Sequence, residues 1–423
     1  MGEMMQTAMI GRSLDRIPLA RIAQGLAIAA VVSLPWSTSL TAILTVLWLL
    51  ALIPVLDFAS VRQILATPAG ALPVALWAFA LIGVLWSIAP PGELFGGFQA
   101  YARFLVIPLL LAQFRKSGRV DWVLGGFLIS CIVLLIASFV LKAWPWLWWR
   151  ALPLPGIPVK DYVVQSGEFL LCAFGLAHWA IDAWRQNRRG WAFALAALAL
   201  AFLVNIIFIA TSRAAFVVFV VLVGLLAFQR FSRKGALAVL IGGAVLAGAA
   251  WLSSPPLRER IMEVSQDVEL YENGSAATSS GYRLNWWKHS LGFIASAPLI
   301  GHGTGSTRAV FRQAAVTDPS LQGDAITDNP HNQTLSIAIQ LGLLGAGVLW
   351  AMWIAHLLLF RGEGMAAWIG AGVVVENVVA SLFNSQLFYF SPGWIYVFGV
   401  GVLGGVVLRG GTGWRPAANA ANE

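Results

Sequence analysis

The sequence predicts an all-α polytopic membrane protein. Hydrophobic residues fill 59% of its 423 positions and charged residues only 11%, against about 45–50% and 25% in soluble domains. The apolar residues gather in repeated runs, long enough to cross a hydrocarbon layer as helices. Charges or Pro/Gly turns separate the runs, as at Ala89-Pro90-Pro91-Gly92 and Ser391-Pro392-Gly393.

Taken in order, the runs predict about twelve transmembrane helices: 20–36, 40–56, 71–89, 99–113, 122–143, 162–184, 190–210, 213–230, 236–252, 331–360, 365–388 and 392–408. Residues 1–423 read as a single transmembrane domain. Its one long polar interruption, 253–330, lies between the ninth and tenth helices. The first 19 residues are polar and basic, and the first apolar run leads straight into further spans, so no cleavable signal peptide is expected. Cys131 and Cys172 sit inside apolar runs and read as small buried hydrophobes. They offer no metal spacing or disulfide framework.

The basic residues set the orientation. If the N-terminus is cytoplasmic, the inward segments hold most of the 27 lysines and arginines, from Arg12, Arg16 and Arg21 through Arg62, Arg115 and Arg185 to Arg361, Arg409 and Arg415. The short outward connections hold few: Arg150, Lys160 and Arg213. Both termini are therefore expected inside and the 253–330 loop outside. The run Trp144 to Trp149 also falls outward, as an interfacial belt or as a platform for a sugar or lipid.

Within the loop, Leu257 to Tyr271 carries an apolar stripe at Ile261, Val264 and Val268. Tyr282 to Ile294 places Trp286, Trp287, Ser290 and Ile294 near one face, with Arg283 and Asn285 beside it. Such a segment is expected at the interface, aromatic face toward lipid and polar face toward a cavity.

The organising stretch runs from Asp328 to Trp350. Asn329 is a good N-cap and Pro330 suits the first helical position. His331 then falls in the first turn, where the helix dipole disfavours a second positive charge. A neutral imidazole can accept a proton, so His331 is a candidate general base; the plain alternative is an exposed histidine at a membrane boundary. His289 and His302 are weaker candidates because no cap places them. Arg213 is pinned in a tight outward turn near membrane depth, where an unpaired charge costs up to about 2.5–3.5 kcal/mol. Arg213 and Arg283 both match phosphate by bidentate hydrogen bonds. They could hold a lipid-linked diphosphate, or else bind anionic headgroups or pair with Glu259, Glu263 or Asp328.

Gly301-His302-Gly303-Thr304-Gly305 lacks a preceding strand and a following Gly-Lys-Ser/Thr. It reads as a turn that brings the loop back over the cavity, and neither nucleotide nor nucleic acid is expected as a partner. Glu168, His178, His356 and Glu376 lie inside helices, as a proton relay or as structural pairs. Gly342, Gly345 and Gly347 are expected to allow close helix packing.

Several of these residues together resemble the O-antigen ligase family: Thr211-Ser212-Arg213, Tyr282-Arg283 with its Trp-Trp, Gly301-His302-Gly303, and Pro330-His331-Asn332 leading into Gly342-Leu343-Leu344-Gly345. That family belongs to a wider group with O-antigen polymerases and bacterial O-oligosaccharyltransferases. The resemblance implies a glycosyltransferase on the outer, periplasmic face of the bacterial inner membrane. Its donor would be O-antigen polysaccharide on undecaprenyl diphosphate, its acceptor a hydroxyl of lipid A-core, with membrane lipids around it. No metal and no cofactor are implied, and inversion at the anomeric carbon is expected. On this resemblance His331 is the base, while Arg213 and Arg283 bind the diphosphate and stabilise the leaving group. Asn332, Tyr282 and Trp287 would contact substrate, and Asp328 could orient His331. An O-antigen polymerase or protein O-oligosaccharyltransferase is the alternative within the group. A transporter of an anionic solute, using Glu168 or Glu376, is the alternative outside it.

Overall fold

The computed structural model describes residues 16–148, 154–272 and 278–410. The described residues form helices joined by turns, with no β-strand. The chain is an all-α polytopic membrane protein. Nine helical stretches among the described residues are long and apolar enough to cross a membrane, and Pro18–Ser33 and Met365–Ala380 are apolar but shorter.

The order is α1 (Arg16–Ser33), α2 (Thr38–Leu52), α3 (Phe58–Leu65), α4 (Pro68–Gly83), α5 (Pro91–Ala102), α6 (Val106–Arg115), α7 (Val120–Ala143), α8 (Tyr162–Arg185), α9 (Arg189–Phe208), α10 (Arg213–Arg230) and α11 (Arg233–Ser253). The long loop contributes α12 (Pro255–Glu272), α13 (Ser279–Ser296) and α14 (Thr307–Ala314). The chain then continues through α15 (Gln333–Leu359), α16 (Met365–Ala380) and α17 (Phe390–Leu408). Local chemistry sets the starts. Ser37 accepts from the Leu40 N–H, Asp161 from Val163 and Val164, and Thr67 from Gly70 with Pro68 at the first helical position.

Each expected span is a helix, with differences at several ends. α3 is an additional short amphipathic helix. The span expected at 99–113 begins at Pro91 and passes through a 3₁₀ turn, Arg103–Leu105, into α6. α8 is as long as a span but carries Gln165, Glu168, His178 and Asp182, and the first three are buried between neighbouring helices. α16 stops at Ala380 rather than 388, because Ser381 to Tyr389 leaves the helix as a series of turns.

α15 departs most from expectation. It is broken at Gly342 (φ 65°, ψ −167°). The freed backbone groups are matched from outside the helix. Leu343 N–H donates to Pro298 O at 2.7 Å, while the carbonyls of Ile339 and Gln340 accept from His302 (2.9 Å) and Gly303 (2.8 Å). Thr304 N–H bonds Gly83 O at 3.1 Å. The 301–305 turn is therefore a joint between α4 and α15, and its last residue, Gly305, lines a cavity. A Cβ at Gly342 would lie 2.2 Å from the Leu299 backbone, and one at Gly303 would lie 2.2 Å from Ser87 Cα. Of the three glycines expected to bring helices together, Gly342 makes the break and Gly347 faces open space.

The main core holds Trp48, Tyr101, Phe104, Phe114, Trp353 and Tyr396, all fully buried. Some intrahelical polar residues are structurally paired. His356 bonds Tyr396 OH (2.6 Å) and Ala69 O (3.0 Å), and Glu168 lies 3.7 Å from Lys160. Cys131 and Cys172 are buried free thiols. Arg12, Trp149, Arg150 and Arg415 lie outside the described residues.

Candidate active site

Arg213 opens α10 directly after Thr211-Ser212. Its guanidinium reaches Glu263 at 2.6 Å and Asp267 at 3.6 Å, both on α12, and donates to Ser280 Oγ at 2.9 Å. The carboxylates come from some fifty residues further along; Glu263 was among the partners expected for the arginines, and Asp267 was not. Arg260 shares Glu263 at 3.3 Å. Asp267 also accepts from the Ser280 N–H at 3.2 Å, stitching α12 to the start of α13, where Thr278 caps Gly281.

Arg213, Arg260, Arg283, Glu263, Asp267 and Asn384 line one cavity of about 160 Å³. Three guanidinium groups face two carboxylates there. Arg283 makes no hydrogen bond or ion pair among the described residues. Burial, and then the neighbouring Arg213 charge, lower its pKa from the ordinary arginine value. Such a cation, partly desolvated and short of counter-charge, is a site for an anion.

His331 is not in the first turn of a helix. It sits two residues ahead of α15 in the left-handed region (φ 55°), and Asn332 is the cap, accepting from Leu335 N–H at 3.1 Å. Pro330 therefore precedes the cap, and the dipole argument for His331 does not apply. The ring is neutral for other reasons. Burial, and then the Arg283 charge, lower its pKa to about 4, partly offset by Asn384 and the Asp328 charge. Nδ1 is buried without a hydrogen-bond partner among the described residues. Asp328 acts on the ring only through its charge.

The surroundings of His331 fix its place. Its N–H donates to Asn329 Oδ1 at 2.9 Å. The same oxygen accepts from Ser385 Oγ (2.7 Å), and Asn329 Nδ2 donates to Asn384 Oδ1 (2.8 Å). The imidazole stacks on Trp286 (centroids 5.2 Å apart, planes 14°), and Trp286 stacks on Tyr282 (5.5 Å, 18°). The indole N–H groups of Trp286 and Trp287 donate to Ala325 O (2.8 Å) and Pro330 O (3.0 Å). The aromatic face of α13 therefore packs on the His331 segment rather than on lipid, because its polar edges find carbonyl acceptors there.

Of the residues expected to meet substrate, Trp287 holds Pro330 and Asn332 serves as cap while donating to Leu382 O at 3.3 Å. Both position His331. Tyr282 extends the ring stack. His289 is tied to Asp318 (2.8 Å) and His302 to Phe293 O (2.9 Å), away from the arginines. Asn384 and Ser385 were missed by sequence reasoning. Their signal was three consecutive polar residues, Asn384-Ser385-Gln386, in an otherwise apolar stretch. Trp144 and Trp146 are exposed.

His331, Arg283 and Arg213 thus form one electrostatic chain: the charge of Arg283 acts on His331, and that of Arg213 acts on Arg283. No curated protein matches the chain. Residues 197–351 match the family described as O-antigen ligase. The match spans Arg213, Arg283, the 301–303 turn and His331, so over this stretch the chain is similar to the O-antigen ligase family.

Proposed function

We propose that the protein transfers O-antigen polysaccharide from undecaprenyl diphosphate to a hydroxyl of lipid A-core, by a single inverting displacement that needs no metal ion. The observation that carries this reading is a cavity lined by Arg213, Arg283 and Asn384, tied through the Asn384–Asn329 hydrogen bond to the segment that bears His331. The acceptor hydroxyl gives its proton to His331. The neutral ring of His331 can take this proton. The acceptor oxygen bonds to the anomeric carbon as the carbon–diphosphate oxygen bond breaks. The electron pair leaves on the diphosphate, where Arg213 and Arg283 stabilise it.

The arrangement also couples binding to basicity. The Arg283 charge is one of the two causes that hold His331 low. A diphosphate on Arg283 offsets that charge, so His331 becomes a stronger base when donor is present. In this reading 1–423 is one domain in the bacterial inner membrane, with both termini cytoplasmic and the 253–330 loop and site in the periplasm.

The test is reconstitution with undecaprenyl-diphosphate polysaccharide and lipid A-core in excess chelator. Wild type should transfer. His331→Ala should lose about 10²–10⁴-fold, the usual worth of a general base. Arg283→Lys should also lose most activity, since a point charge does not replace the planar fork. Full activity of His331→Ala, or strict dependence on a divalent cation, would overturn the mechanism. Elongation of the lipid-linked chain in place of lipid A-core labelling would identify a polymerase instead.

A further inference from the structure

We propose that a second cavity is the subsite for the uncharged, hydroxyl-rich sugar whose hydroxyl attacks; its assignment to the acceptor rests on the transfer reaction proposed above. This cavity measures about 580 Å³, inside the ~300–1,000 Å³ range of small-ligand pockets. Asn329 lines it and Asn384 lines the arginine cavity, so the hydrogen bond between these two side chains lies between the spaces. An in-line displacement needs attacking and leaving oxygens on opposite sides of the anomeric carbon, and two spaces flanking one polar bridge meet that need.

The chemistry of the walls selects the ligand. Glu93 and Asp328 balance Arg308 and the Arg312 that pairs with Glu93. No net charge remains to draw a diphosphate, in contrast to the arginine cavity. Unfilled hydrogen-bonding capacity does remain. Glu93 Oε2 and Thr307 Oγ1 are buried without partners among the described residues, on residues that line the space. An unsatisfied buried polar group is costly, and sugar hydroxyls are donors and acceptors that satisfy both. Tyr389 adds an aromatic ring for the apolar face of a sugar. Gly92 and Gly96 stand one turn apart on α5, and a Cβ at either would meet nothing within 4 Å. Their missing side chains keep the space open. Base and wall share one short segment, since Asp328 and Asn329 directly precede Pro330-His331.

The test uses the full chain in detergent, with core oligosaccharide freed from lipid as the probe. Binding is read by calorimetry, and transfer kinetics are measured separately for donor and acceptor. Gly96→Phe should abolish oligosaccharide binding and raise the acceptor KM at least about tenfold, leaving the donor KM unchanged. Glu93→Gln keeps an oxygen for Arg312 and guards against a folding failure of the first variant; it should raise the acceptor KM about tenfold, the loss of a charge-assisted hydrogen bond. His331→Ala should bind oligosaccharide normally while losing transfer. Unchanged oligosaccharide binding in both Gly96→Phe and Glu93→Gln would overturn the subsite. A raised donor KM with unchanged acceptor KM would overturn the acceptor assignment and place donor sugars there. If wild type transfers nothing yet oligosaccharide binding still depends on Gly96, the sugar subsite stands and the transfer reading falls.

Discussion

His331 titrates under opposed influences. Burial and Arg283 push its pKa to about 4, while Asn384 and Asp328 pull the other way. The sign for activity follows. A base with a depressed pKa stays competent as pH falls, until the pH reaches that pKa. Removing the Arg283 charge should raise the pKa toward the ordinary 6.5, so the acid limb of kcat/KM should move to higher pH in Arg283→Gln. A pH–rate profile checks this, and an unmoved limb would show that the guanidinium does not act on the ring. Arg213 permits a test with the opposite sign to most substitutions. Its contact with Glu263 at 2.6 Å competes with any incoming diphosphate. Both side chains are partly exposed, so Glu263→Gln should tighten donor binding by only about two- to fivefold, the worth of an exposed pair. A weaker donor KM in that variant would mean that the carboxylate holds the arginine in place for the substrate.

At the level of elements, the sequence made the helices legible and left their interruptions obscure. Long apolar runs identify spans because composition alone decides them, and the stripes at Ile261 and Trp286 were enough to place α12 and α13. The break at Gly342 was not legible. Its local sequence reads as continuous helix, and only the 298–305 turn, arriving from the loop before it, supplies the partners that make the break tolerable. The same holds at His331, where Asn329-Pro330 is a sound helix start by local rules. Asn332 became the cap because Asn329 Oδ1 is bound by His331 N–H and Ser385, and Ser385 lies over fifty residues away. Gly342→Ala should therefore cost roughly 1–3 kcal/mol or more, by strain at positive φ and by contact with Leu299. Gly347→Ala, five residues on with open space at its Cβ, should be neutral or slightly stabilising. Thermal unfolding of the two in parallel tests the difference; equal melting temperatures would show that the break is soft.

Across the whole molecule, the residues that carry charge and those that carry shape come from different parts of the chain. Arg213, Arg283 and His331 were recognisable because each stands in a polar motif beside an apolar run. Of what lay opposite them, Glu263 was among the partners expected for the arginines, but Asp267 against Arg213, Asn384 against Asn329, and Glu93 with Asp328 around the second cavity were not recognisable. These pairings are set by how helices pack, and in a membrane that packing rests on close contact and hydrogen bonding rather than on an apolar pattern the sequence displays.

α11 stands apart from this packing. None of the residues in its apolar window is buried, and it leans on α10 and α12 at the rim. Behind it, α9 to α12 enclose an apolar hollow of about 410 Å³ that includes Leu257 and Ile261, while the adjacent face of α12 presents Arg260, Glu263 and Asp267 to the charged cavity. In the proposed reaction, a donor with a long isoprenoid tail and an anionic head would meet both surfaces. Turnover should then follow the mole fraction of donor in the membrane rather than its amount per volume. Diluting proteoliposomes with buffer should leave the rate unchanged, whereas diluting the donor with phospholipid should slow it.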